Sequence, residues 1–387
     1  MSGVPSVPSK DQLANQLFLD SRAVLNLPYI KRIAFIFKLC MSRNMLYVII
    51  GISTLAAFVL VVFSSQQLWN EGYRFNNLNS QPLKIAVVTD ALFSDRGWGG
   101  ASLNASQFIE KKYQAQITAV DNIAIADIES TLVQYASEKY DLIIAHGFQW
   151  GDPALKVGMQ YPHTKIVVFT GLVKSENVAS IFPMQQEGSF LLGAMAGMMT
   201  RTNVIGFIGG EEYPNVVNIY EGYKQGAQAV NPDVQVIGTY LNDWDNEPKG
   251  KEAASALIRI QNADIVFHVA DTSGHGVIEA AKENHVYALG AVQDQNALGP
   301  DTVLTSFVLD TRKAYDQAVH MVVNDSFRSE IFKPGIERGP GQEGDGVVYL
   351  APFHNLEKNV PPMVMSKLQQ LTDDIASGRI IVPERYH

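Results

Sequence analysis

Residues able to bind or transform a small molecule cluster just after apolar runs in this chain. The run Lys84-Ile-Ala-Val-Val-Thr89 leads into Asp95-Arg-Gly-Trp-Gly-Gly-Ala-Ser-Leu-Asn104, which sets an acid, an indole and three glycines at one loop. The pattern returns in Ala145-His-Gly-Phe-Gln-Trp-Gly-Asp152, in Ala270-Asp-Thr-Ser-Gly-His-Gly276 and in Gly290-Ala-Val-Gln-Asp-Gln295, with Trp244 in a further loop. Aromatic faces stack on flat rings, and carboxylates accept hydrogen bonds from hydroxyls or amines. Taken singly, each residue has an ordinary role as core filler, cap or turn. Their joint placement marks Asp95, Trp98, Gly147, Phe148, Asp152, Trp244, Asp271, Ser273, Gly274 and Asp294 as candidate ligand-binding residues.

The same loops argue against catalysis. Gly97, Gly99 and Gly100 have neither the P-loop spacing nor that of a dinucleotide fingerprint. No G-x-S-x-G elbow occurs. The histidines, among them His146, His163, His268, His275 and His285, form no H-x-x-H or H-E-x-x-H pair. His275 reads first as an ordinary loop histidine. The residues therefore point to binding, with no catalytic group, metal or cofactor expected.

Parallel strands must carry these loops. Apolar, β-branched runs at 84–90, 117–122, 141–147, 165–171, 204–210, 235–241, 264–270 and 286–292 alternate with helix-like stretches. Such runs suit strands covered on both faces. Ligands of open α/β sheets bind at the carboxyl ends of the strands, so these loops should converge. The expectation is an α/β protein with two doubly wound, Rossmann-like lobes joined by a hinge. One lobe takes residues 83–180 and the other 186–292, each with a returning C-terminal segment, and an irregular stretch 178–186 lies between. Further strands are expected at 302–309 and 347–353, with a terminal helix at 363–377. The apolar run 189–199 is too short to span a bilayer, and its small residues suit close packing in a core.

At 387 residues, 47% of them hydrophobic, the chain can bury a large core. A net charge of −9 excludes nucleic acid as the expected partner. Before residue 45 the charge is reversed: Lys10, Arg22, Lys31, Arg32, Lys38 and Arg43 face only Asp11 and Asp20. The uncharged stretch that follows, Met45 to Phe63, is long enough to cross a membrane. The expected order is a cytoplasmic tail 1–44, a transmembrane signal anchor 45–65, a linker 66–82 and an exported domain 83–387. A start at Met41 with a cleaved signal peptide is the alternative. Cys40, the single cysteine, can form no internal disulfide and lacks the small residues that lipid attachment requires.

Over 84–383 the chain resembles the basic-membrane-protein (BMP) family of periplasmic binding proteins, whose best-known members are purine-nucleoside receptors of ABC transporters. The resemblance lies in Asp95-Arg-Gly-Trp98, Asp141 to Asp152, Tyr161-Pro162, Asn177-Val178 and Glu187 to Gly193, and continues through Gly206 to Gly210, Glu221 to Gly226 and Asn231-Pro232. It ends with Lys249-Gly-Lys251, Asp294-Gln295 and Ile375 to Pro383. It implies a type I periplasmic binding fold that captures a nucleoside for a transporter permease. A membrane-tethered sensor using the same fold is the alternative. Three positions depart from the family pattern. Gly290-Ala-Val292 stands for Gly-Val-Asp, Leu309 for a lysine, and Thr170-Gly171 for Asp-Gly. The lost lysine and the retained acids make a cationic or amine-bearing solute the second choice of ligand.

Overall fold

The computed structural model describes residues 82–337 and 346–386. Residues 1–81, which hold the expected tail, anchor and nearly all of the linker, lie outside the described residues. Among the described residues, no helix is long and apolar enough to cross a membrane.

Each of the eight apolar runs coincides with a strand to within two residues at either end. In chain order these are β1 (Lys84–Thr89), β2 (Gln116–Val120), β3 (Leu142–His146), β4 (Lys165–Phe169), β6 (Val204–Gly209), β7 (Gln235–Tyr240), β8 (Ile265–Val269) and β9 (Tyr287–Val292). The expected later strands are β10 (Val303–Leu309) and β12 (Val348–Leu350). The stretch read as irregular holds one more strand, β5 (Val178–Ile181), and the two-residue β11 (Ile331–Phe332) pairs beside it. The strands form two six-stranded sheets, ordered β11-β5-β4-β3-β1-β2 and β12-β10-β9-β8-β6-β7. All pairings are parallel except β10 with β12. Every residue of β3 and β8 is buried, as strands covered by helices on both faces require. The edge strands β2 and β7 remain partly exposed.

The covering helices are α1 (Trp98–Tyr113), α2 (Ile128–Ser137), α3 (Gly151–Gln160), α4 (Gln185–Met199), α5 (Pro214–Val230), α6 (Glu247–Arg259), α7 (Asp271–Glu283), α8 (Thr311–Val323) and α9 (Pro362–Ala376). Helix α4 contains the apolar run 189–199 and is buried from Gln185 through Gly197. It lies against α5 almost backbone to backbone. A Cβ on Gly193 would fall 1.9 Å from the Tyr223 carbonyl oxygen, and one on Gly226 would fall 1.9 Å from that of Phe190.

The chain passes between the sheets three times: after β5 into α4, after β10 into α8, and after β11 toward β12. Helix α8 packs on α1, where Tyr315 meets Ser102 at 2.9 Å and Lys112 pairs with Asp316 at 2.6 Å. The C-terminal residues return over the crossings. The Arg385 backbone N–H donates to Asn218 Oδ1, and Glu384 pairs with Lys333. One apolar cluster includes residues of both sheets, such as Ile144 and Phe267, while separate clusters fill the outer faces of each.

Candidate ligand-binding site

The carboxyl ends of the strands in both sheets face a common cavity. From the first sheet it is lined by Asp90 and Asp95 after β1, Trp98 at the start of α1, Gly147 to Gln149 after β3, and Thr170 after β4. From the second come Tyr213 and Asn215 after β6, Trp244 and Asp245 after β7, Asp271 after β8 and Val292 at the end of β9. Gln185 enters from the first crossing, at the head of α4.

The Asp95 loop is built around its carboxylate, which is 3% exposed. That carboxylate accepts the backbone N–H groups of Gly97, Gly99 and Gly100 at 2.8, 2.7 and 2.9 Å. It therefore caps α1, satisfying donors that a helix start leaves open. The glycines serve close approach, since a Cβ on Gly99 would sit 2.2 Å from the Leu92 carbonyl oxygen. The loop meets the second lobe directly. His275 Nε2 lies 3.1 Å from the Asp95 carbonyl oxygen, and Gln293 Nε2 donates to the Gly97 carbonyl at 2.6 Å. His275 is thus a contact between lobes, held on its other nitrogen by Glu247.

Half-buried Trp98 rests on two rings of its own lobe. Its centroid is 4.0 Å from His146 and 5.4 Å from Phe169. His146 is fixed at both nitrogens. Nε2 donates to the Trp98 carbonyl (3.2 Å) and Nδ1 accepts from the Tyr315 hydroxyl (2.9 Å). Burial pushes its pKa down to about 3, so the ring is neutral and the carbonyl contact requires the Nε2–H form. Across the cavity Phe148 of the first lobe lies 6.1 Å from Tyr213, which is 6.2 Å from Trp244.

Burial raises the pKa of Asp90 and of Asp95, the latter in spite of its three N–H donors. Asp271 is held well above the usual carboxylate range, first by burial and then by Asp95, Asp90 and Asp245, with the Trp98 backbone N–H pulling the other way. Asp271 and Asp95 flank Gly97, where a Cβ would lie 3.8 Å from an oxygen of one and 3.9 Å from an oxygen of the other. Three lining residues have left-handed backbones: Val292 (φ 68°), Thr170 (φ 61°) and Asp271 (φ 42°). A β-branched residue there is strained, and such strain collects at functional sites. Two of the three, Thr170 and Val292, are positions where the chain departs from the family pattern.

Of the sequence-predicted residues, Asp95, Trp98, Gly147, Phe148, Trp244 and Asp271 line the cavity. The other four lie elsewhere. Asp152 is exposed in the first turn of α3. Ser273 is fully buried and pins α7 to the loop between β7 and α6, accepting the Asn246 N–H and donating to the Asp243 carbonyl. Gly274 lets α7 approach β8, since a Cβ there would fall 2.1 Å from His268 Nδ1. Asp294 is exposed and pairs with His354 at 2.6 Å. Sequence reasoning missed Asp90, Gln149, Tyr213, Asn215, Asp245 and Gln185. The first five follow strands closely, which was a usable signal. Gln185 depends on the crossing and had none.

The fold and chain can be compared with known proteins. A solved solute-binding protein of an ABC transporter system from Aeropyrum pernix K1 superposes with a TM-score of 0.70 at 22% identity, covering 79% of this chain and 95% of that one. A purine-binding protein of Brucella abortus is 29% identical over 283 residues, 72% of this chain and 78% of the relative. A protein of Bacillus subtilis named transcriptional activator protein med is 27% identical over 234 residues, 60% of this chain and 73% of the relative. The family model described as ABC transporter substrate-binding protein, PnrA-like, matches residues 83–385, and the chain belongs to that family.

Proposed function

We propose that the protein is an extracytoplasmic receptor that closes two lobes around a nucleoside-class solute and presents it to an ABC transporter. The observation that carries this reading is the cavity itself, with Trp98 and Phe148 from one lobe facing Tyr213 and Trp244 from the other. Flat rings stack on such residues, and the carboxylates accept from hydroxyl and amino groups. Hinge closure across three chain crossings would bury the solute. The purine-binding relative supports a nucleoside or its base as the solute. The apolar segment 45–65 would anchor the receptor by a single pass. Thermal unfolding of the purified full chain with a nucleoside panel tests the reading. A solute at 100 times its Kd stabilises by about 2.7 kcal/mol, and no shift with any nucleoside overturns the ligand class.

A tethered ligand sensor is the second reading, favoured by the relative named as a transcriptional activator. Mass spectrometry of the mature N-terminus separates the two. A retained 1–44 tail supports sensing, and a start near Ser65 supports delivery to a transporter.

A further inference from the structure

The cavity lining contains Asp90, Asp95, Asp245 and Asp271 and, among the described residues, no Lys, Arg or His. The loop's own Arg96 is exposed and is not part of the lining. Helix starts supply only partial positive charge, and Asp95 uses up that of α1 through its three N–H contacts. Asp90 meets the Trp150 indole at 3.4 Å and the Gln149 side chain, neutral donors that offset its burial only in part. Asp245 and Asp271 face the cavity without a cationic partner. His275, outside the lining, reaches only the Asp95 end of the group, and grouped carboxylates oppose one another's ionisation.

Two further polar groups enter the lining. Gln185 is 3% exposed. Asn215 Oδ1 is buried and has no hydrogen-bond partner among the described residues. A buried polar group is costly until something answers it, so the lining presents open acceptors beside negative charge and aromatic faces. Aromatic faces attract cations through the ring quadrupole.

We infer that the solute carries a positive charge on or beside a flat ring, the ring lying among Trp98, Phe148, Tyr213 and Trp244 and the charge facing Asp90, Asp245 and Asp271. The inference rests on the nucleoside-class reading only for the ring. The electrostatics have a corollary. Asp271, faced by Asp90, Asp95 and Asp245 and by no cation, retains a proton in the empty cavity at pH values where an ordinary aspartate has lost it. A cation displaces that proton, whereas a neutral solute leaves it in place.

Calorimetric titration of the full chain in mildly acid buffer with guanosine and with 7-methylguanosine, which keeps its N1 proton there and is a net cation, isolates the charge. Phenyltrimethylammonium serves as a cation that is not a nucleoside. We expect 7-methylguanosine to bind at least about tenfold tighter than guanosine, with proton release seen as a heat that varies with buffer ionisation enthalpy. The advantage should shrink in Asp271→Asn and in the exposed-site variant Asp245→Asn, and persist in Asp152→Asn. Guanosine binding as tightly as 7-methylguanosine overturns the inference and leaves the nucleoside reading standing. Binding of phenyltrimethylammonium alone supports the charge and removes the nucleoside. Heat from none of the three overturns both.

Discussion

The two lobes solve one problem differently. Each ends or nearly ends its third strand in a buried histidine: His146 on β3 and His268 on β8. In the first lobe the ring is bonded at both nitrogens and stacked 4.9 Å from Phe169 at an interplanar angle of 11°. In the second, neither ring nitrogen of His268 makes a hydrogen bond of good geometry among the described residues, Gln295 offering at most a weak contact, and α7 presses Gly274 against the ring. One wall of the cavity is therefore held by directional bonds and the other by packing. A wall of bonds keeps Trp98 in a single orientation, while a wall of contacts depends on volume.

The largest effect expected from this difference is at the glycines that follow the two strands. Gly274→Ala should cost about 3 kcal/mol or more, because the added carbon meets a buried ring at 2.1 Å. Gly151→Ala in the first lobe meets a Val173 methyl at 3.2 Å and should change stability by less than about 1 kcal/mol. Denaturant unfolding of both variants checks the pair. Equal losses would break the comparison.

The same substitution at each histidine comes next. His146→Leu removes a donor from the Trp98 carbonyl and an acceptor from Tyr315, with an expected loss of about 2–3 kcal/mol. His268→Leu removes at most a weak contact with Gln295 and should change stability by less than about 1 kcal/mol.

Acid should expose both rings. Burial lowers each pKa from 6.5 to about 3. Between those values the unfolded chain binds more protons, so stability falls as pH falls, by up to about 1.4 kcal/mol per pH unit for each histidine. The raised carboxylates Asp90, Asp95 and Asp271 act oppositely, favouring the folded state as pH drops through their folded pKa values. The histidine share is the slope lost in His146→Leu or His268→Leu between pH 6.5 and 4.5. An unchanged slope in both variants would refute it.

The smallest effect is on affinity. Trp98→Ala should weaken solute binding by about 0.5–1.5 kcal/mol through lost stacking, while Asp294→Ala, away from the cavity, should leave it unaltered.

The strand pattern was legible because parallel strands buried on both faces are apolar over most of their length, as Leu142 to Ala145 and Ile265 to Phe267 are. Strand β5 was missed because its four residues run straight into Phe182-Pro183, which breaks the pattern, and β11, at two residues, is created by its neighbour. At the site, loop residues after strands could be found, but their division of labour could not. Asp95 and Asp271 look alike in sequence. Both line the cavity, but one bonds the N–H groups of its own loop and the other meets the Trp98 N–H of the opposite lobe, and only the approach of the second lobe separates them. Gly274 and Ser273 were drawn in by the same loop signal, although close packing of α7 explains both.

The threefold passage between sheets also bears on how the protein is made. Strand β5 acquires its outer neighbour only when Ile331 pairs beside Ser180, and β10 acquires its own only when Val348 pairs with Leu309. A chain emerging from its N-terminus therefore cannot finish the first sheet until almost all of the second has appeared. Until then β5 presents an unpaired edge, the kind of surface that recruits other chains. Contacts this distant in sequence close slowly. A chain stopped before residue 331 would thus be more than a shortened receptor: it would carry an open strand edge and tend to aggregate.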